Sequence, residues 1–142
     1  MPDYTVTELH ISHKTTTLPN DIHLYTNLKK LHCNNNELTQ LDNIPQGVNE
    51  IYCHWNKITK LDKLPPSVKI LNCHTNKIHQ LDKLPMRLKV LNCADNKITQ
   101  LDNLPLGLKV LNCSDNPLIY DFKPTLENIK NYITSNVKIP CS

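Results

Sequence analysis

Glycine is nearly missing from this 142-residue chain, which has 2 of them, and aromatic residues make up 5%, with one tryptophan and one phenylalanine. Two glycines cannot build a phosphate cradle or a dinucleotide-binding turn, which need the backbone itself to approach the ligand. A nucleophile elbow and a carboxylate pair set apart by a pocket are also lacking, so the sequence supports neither catalysis nor a cofactor or metal. No apolar run approaches the length that spans a bilayer, so a membrane partner is not expected. The N-terminus, Met1-Pro2-Asp3-Tyr4-Thr5-Val6, has no basic stretch leading into an apolar one, as a secretory leader would. Charge of one sign is not in excess either: 16 basic residues face 13 acidic ones, for a net charge of +3. With 39% hydrophobic residues, the composition fits one compact domain and makes no demand for a polyanionic partner.

What the chain has in quantity is repetition. Cys33, Cys53, Cys73, Cys93 and Cys113 follow one another at intervals of 20 residues, and Asn36, Asn56, Asn76, Asn96 and Asn116 each stand three residues later. The units begin at Leu28, Val48, Val68, Leu88 and Leu108, and each has a second apolar position at Leu31, Ile51, Leu71, Leu91 and Leu111. Their second halves repeat as Leu41-Asp42-x-Ile44-Pro45, Leu61-Asp62-x-Leu64-Pro65, Leu81-Asp82-x-Leu84-Pro85 and Leu101-Asp102-x-Leu104-Pro105. The unit is LxxLxCxxNxIxxLDxLPxx, and a self-similar period of this length is the signature of a stacked repeat array.

Over residues 28–120 these units resemble the leucine-rich repeat family, and in particular the short repeats of bacterial effector proteins and the cysteine-bearing repeats of giant DNA viruses. They depart from the effector pattern in having Asp where a first proline is usual. The resemblance implies an α/β solenoid: a right-handed superhelix with a parallel β-sheet on its concave face, an irregular convex side and a C-terminal capping helix.

The residues themselves lead the same way. Leu71-Asn72-Cys73 alternates apolar and polar, the period of a strand with one buried face. Such strands pair in parallel about 4.8 Å apart. The asparagine has both a donor and an acceptor with which to satisfy backbone where the chain leaves the sheet. Pro45, Pro65, Pro85 and Pro105 fix φ and donate no hydrogen bond, which suits an extended returning limb. An array of this kind exposes core at both ends unless each is covered. At the C-terminal end, residues 121–142 supply a capping helix and tail, with Leu126, Ile129 and Ile133 on one face and Pro124 near the first turn. Residues 1–27 hold a divergent N-terminal unit, in which Val6 to Ile11 reads as a further strand and Leu18-Pro19 as its return. Six strands result.

The five ladder cysteines invite a metal or disulfide reading, but they stand at an inward position, where a free cysteine behaves as a small hydrophobe. Parallel side chains from one face do not surround a zinc ion. Cys141, outside the ladder, is the expected reactive thiol. Reduced thiols and the lack of a leader favour a cytoplasmic location, with secretion after removal of a leader as the alternative. His32, His54 and His74 stand at neighbouring positions and offer a weak transition-metal or pH-sensitive patch; solvated polar residues are the commoner explanation. The Asp42, Asp62, Asp82 and Asp102 column reads as local backbone capping rather than a calcium site.

Function is therefore expected on the outward strand positions, which the core does not dictate. One column reads Lys30, Glu50, Ile70, Val90, Val110 and the next His32, Tyr52, Asn72, Asn92, Asn112, followed by His54, Trp55, His74, Asp95 and Asp115. The leading expectation is a non-catalytic module that binds a protein partner, with Tyr52, Trp55, His54 and His74 central and Lys30, His32, Glu50, Ile70, Asn72, Val90, Asn92 and Asp95 contributing. A monomer is favoured. One alternative is a structural component that self-associates through the solenoid ends or edges. Another is weak nucleic-acid binding along Lys69, Lys89 and Lys109, which the small net charge disfavours.

Overall fold

The structure, a computed structural model, describes residues 1–12 and 14–136. Six three-residue strands follow in order: β1 (Glu8–His10), β2 (Lys30–His32), β3 (Glu50–Tyr52), β4 (Ile70–Asn72), β5 (Val90–Asn92) and β6 (Val110–Asn112). They form one sheet in sequence order, and every pair is parallel and in register. A single α-helix, α1 (Leu126–Asn136), closes the described chain. Six strands and a C-terminal helix are what the repeat pattern and the flanking segments call for.

Each unit buries one stripe of side chains. In the third, Val68, Leu71, Cys73 and Ile78 are fully buried and Leu81 nearly so, and the same positions are buried in its neighbours. Between these stripes runs the asparagine column. Asn76 Nδ2 donates to the carbonyls of Cys53 and Cys73 at 3.0 Å each, while its Oδ1 accepts from the Ile58 amide at 2.9 Å. Asn56 and Asn96 repeat this arrangement one unit either side. Asn36 ties the second strand's unit back to Ile11 and Thr15, and Asn116 ties the last unit to Cys93 and Ile98. Each asparagine thus satisfies backbone groups of its own unit and of the one before, where the chain turns out of the sheet and no strand partner remains.

The returning limbs contain no α-helix. In each, the carbonyl of the proline accepts from the amide three residues on, as in Pro65 to Val68 at 3.2 Å and Pro85 to Leu88 at 3.1 Å. This turn re-enters the next strand. The N-terminal unit differs because its strand-to-strand step, Leu9 to Leu31, is 22 residues. A single 3-10 turn at Ile22–Leu24 takes up the extra length, with Ile22 fully buried and Tyr4 donating to Asp21 at 2.7 Å beside it.

At the other end, α1 places Ile129 in the core with no exposed surface, and Leu126 and Ile133 pack against it. Lys130 Nζ donates to the Leu108 carbonyl at 2.6 Å. Tyr120, Phe122 and Tyr132 form an aromatic cluster with centroids 4.8 to 5.6 Å apart, and the Tyr120 hydroxyl donates to Asp102 and accepts from the Leu101 amide.

The aspartate column departs from expectation. Asp42 meets Gln40 and Lys63, Asp82 meets Asn103, and Asp102 meets Tyr120, all through side chains. Local backbone capping is therefore not what the bonded carboxylates do: Lys63, Asn103 and Tyr120 reach them from the limb that follows, so they tie adjacent limbs together.

The ladder cysteines are free, and Cys33, Cys53, Cys73 and Cys93 are fully buried. Burial pushes the Cys33 and Cys73 thiols up to about 12, and those of Cys53 and Cys93 well above their ordinary value of 9.0. These four are expected to resist alkylation at about pH 8 in the native protein and to react freely once it is unfolded, as mass spectrometry of trapped peptides would report. Above an ordinary pKa near 9 the unfolded chain releases thiol protons that the folded chain holds to about 12. Stability is therefore present below pH 9 and falls as pH rises through that interval. Cys141 lies outside the described residues.

Candidate functional site

Because the strands are in register, their outward positions align into straight rows. The first row is Glu8, Lys30, Glu50, Ile70, Val90, Val110 and the second His10, His32, Tyr52, Asn72, Asn92, Asn112. β1 thus adds Glu8 and His10 to the face, two residues that the repeat alignment did not reach because their unit has a different length.

In the N-terminal half the second row is a stack of rings. His10 lies on His32 with centroids 4.2 Å apart, and His32 lies on Tyr52 at 4.8 Å. The Tyr52 hydroxyl donates to Glu50 at 2.8 Å, and Lys30 pairs with the same carboxylate at 3.6 Å. Burial first, then the Glu50 carboxylate, raises the Tyr52 phenol above its ordinary range. A second stack stands one step along the chain: His54 on His74 at 4.7 Å, with Trp55 edge-on to His74 at 6.2 Å. Burial lowers the His54 pKa, with His74 and then His32 adding to the effect, so its ring is neutral near pH 7. Its Nδ1 is buried and has no partner.

The C-terminal half is quieter. Ile70 and Val90 are half-buried and Val110 is exposed. The side chains of Asn72, Asn92 and Asn112 do not bond to one another as a stacked amide ladder would. Each oxygen accepts from the backbone amide two residues on, at His74, Ala94 and Ser114, because that short turn is within reach of its own side chain and the next strand's amide is not needed.

The turn that follows each strand has a left-handed residue at one fixed position: Asn35, Trp55, Thr75, Asp95 and Asp115, with φ between 52 and 57°. Asn and Asp tolerate this conformation, whereas a bulky or β-branched residue is strained there. Trp55 and Thr75 occupy it nonetheless, and Trp55 is 55% exposed. Of the residues singled out in the sequence, Tyr52 stands in the first stack with His32, and His54, Trp55 and His74 stand together in the second. Lys30, Glu50, Ile70, Asn72, Val90 and Asn92 lie on the strand rows, and Asp95 at the turn position of Trp55 two units on. Depressions elsewhere are shallow; one between adjacent limbs, lined by Thr59, Lys60, Asp62, His79 and Lys83 among others, has a volume of about 220 Å³. Among the described residues, no helix is long and apolar enough to cross a membrane.

Similarity to solved structures agrees with this architecture. The chain is 30% identical to the leucine-rich-repeat domain of a Shigella effector, with a TM-score of 0.74 over 81% of this chain and 52% of that one. It is 28% identical to YopM from Yersinia enterocolitica WA-314, with a TM-score of 0.72 over 82% of this chain and 25% of that one. It is 27% identical to the functional domain of InlJ from Listeria monocytogenes, which includes a cysteine ladder, with a TM-score of 0.52 over 80% of this chain and 35% of that one. The chain spans about half the length of the Shigella domain and a smaller share of the other two. No protein-family model and no curated protein matches it. The class is a parallel-strand solenoid. Within that class the chain has a leucine-rich-repeat fold with short, 20-residue units, similar to the repeat domains of bacterial effectors.

Proposed function

We propose that the chain is a non-catalytic module that binds a protein partner through the outward face of its sheet. Tyr52, His54, Trp55 and His74 form the centre of the site, and Lys30, His32, Glu50, Ile70, Asn72, Val90, Asn92 and Asp95 its surroundings. The observation that supports this most is the placement of Trp55. Its backbone has φ 57° at a position that Asn35, Asp95 and Asp115 fill without strain, and its indole is 55% exposed. A bulky residue in that conformation costs on the order of 1–3 kcal/mol, and the one aromatic contact set against that cost is edge-on to His74 at 6.2 Å. Exposed Trp and Tyr are the usual energetic centres of protein interfaces. The likeness to effector repeat domains and the reduced thiols fit a partner met in the cytoplasm, of a host cell if the chain is an effector.

The test combines Tyr52→Ala with Trp55→Asn. The asparagine relieves the turn, so Trp55→Asn alone is expected to raise thermal stability by about 1 kcal/mol, while the double variant loses partner capture in affinity pull-downs from the source cell. A His79→Ala control on a returning limb retains it. Capture at wild-type strength by the double variant would sink the proposal.

A second reading, self-association, is favoured by the outer edge of β6, where Val110 is 54% exposed, and by Met86 and Leu106, each 78% exposed at matching limb positions. Light scattering separates the two: a monomer across a wide concentration range leaves only the binding module.

A further inference from the structure

We propose that Glu8, His10 and His32 form a binding site for a divalent transition metal of the zinc class, at the N-terminal end of the sheet face. Glu8 and His10 are two residues apart on β1 and so point to the same side, and His32 stands directly across from His10 on β2. Glu8 Oε1 lies 2.8 Å from His32 Nε2 and 3.3 Å from His10 Nε2. One ligand atom from each of the three falls within 4.8 Å of the others, and among the described residues no other group of three such donors is this close.

The donor set selects the ion. Two imidazole nitrogens and one carboxylate oxygen suit zinc, copper or nickel, whereas calcium and magnesium take oxygen ligands throughout. Donors bound tetrahedrally at 2.0–2.1 Å stand about 3.3 Å from one another, close to the spacing already present around the carboxylate. Three protein ligands leave a fourth position open to water. Lys30, the cation nearest along the row, is engaged by Glu50 at 3.6 Å.

One adjustment is needed. The His10 and His32 rings are stacked with 4° between their planes, so their lone pairs run parallel instead of converging. The His10 side chain is 68% exposed and has room to turn about its own torsion toward the carboxylate, while His32, at 24%, stays fixed under Tyr52. The ion would then clamp β1 to β2. The site borders the proposed partner surface through His32, which stacks on Tyr52, and zinc binding is read on the chain alone, so its failure and a failure of partner capture are told apart.

Calorimetric titration of the full chain with zinc chloride, thiols kept reduced, tests this. One equivalent is expected to bind to the wild type and to raise its melting temperature. His10→Ala and His32→Ala each weaken that affinity roughly tenfold or more, Glu8→Gln also weakens it, and His74→Ala leaves it unchanged. In nitrogen NMR spectra of the wild type, zinc shifts the ring signals of His10 and His32, a readout that holds even if a variant fails to fold. Wild-type affinity in both histidine variants, or no shift of those two rings on saturation, would overturn the proposal.

Discussion

Asn76→Ala is expected to lower folding stability by roughly 3–5 kcal/mol, read as a shift in the urea midpoint followed by circular dichroism. The side chain meets three buried backbone groups, the Ile58 amide and the Cys53 and Cys73 carbonyls, at 2.9 to 3.0 Å. Each one left without a partner costs about 1–3 kcal/mol, and water that enters the vacated space recovers part of the sum. Domains of this size have about 5–15 kcal/mol in total, so one substitution removes a large share. Asn76→Asp should be no milder, because it keeps the acceptor but sets a second oxygen against two carbonyls. Asn116→Ala at the partly exposed end should cost less, since water replaces the lost bonds there. Asn72→Ala, four residues from Asn76, removes only a 3.4 Å turn contact and should shift the midpoint by less than about 0.5 kcal/mol. Equal losses at Asn72 and Asn76 would show that the buried bridges are not what holds adjacent units together.

Ile129→Asp is expected to be as severe, with a different outcome. Ile129 is fully buried and anchors α1 over the last unit, where Leu108 is fully buried and Cys113 nearly so. An unpaired carboxylate at that point either drives the helix off or ionises at a cost of several kcal/mol. A helix of 11 residues has little stability of its own once its apolar face is released. The end of the array then exposes core, and the variant should associate in a concentration-dependent way visible by light scattering. Ile129→Val, which keeps most of the buried volume, should remain monomeric and lose about 0.5–1.5 kcal/mol. A monomeric Ile129→Asp variant with wild-type melting behaviour would mean that α1 is not a cap.

The strand face, the buried cysteines and the asparagine bridges were legible in the sequence because each follows from the 20-residue period, which reports position directly. Leu71, Cys73 and Asn76 need no structure to be placed. The strand that holds Glu8 and His10 was legible at Val6 to Ile11, but the place of these two residues in the rows of the face was not, since the 22-residue step between Leu9 and Leu31 takes their unit out of phase with the others. The strain at Trp55 was hidden for another reason. A left-handed turn is usually announced by glycine, and here Asn35, Thr75, Asp95 and Asp115 fill that position. The functions of Asp42, Asp82 and Asp102 depend on which side chains of other limbs come within reach, which the periodic pattern of one unit does not encode.

The asparagine bridges also have a mechanical meaning. They and the strand bonds join consecutive units along the stacking direction, so a pull applied to the two ends loads these ties in series. Every interior tie has the same three-bond construction. Yielding should therefore begin at the ends, where Asn116 is already partly open to water, and run inward one unit at a time. Force–extension traces of such a chain would show equal steps, each one repeat of released contour.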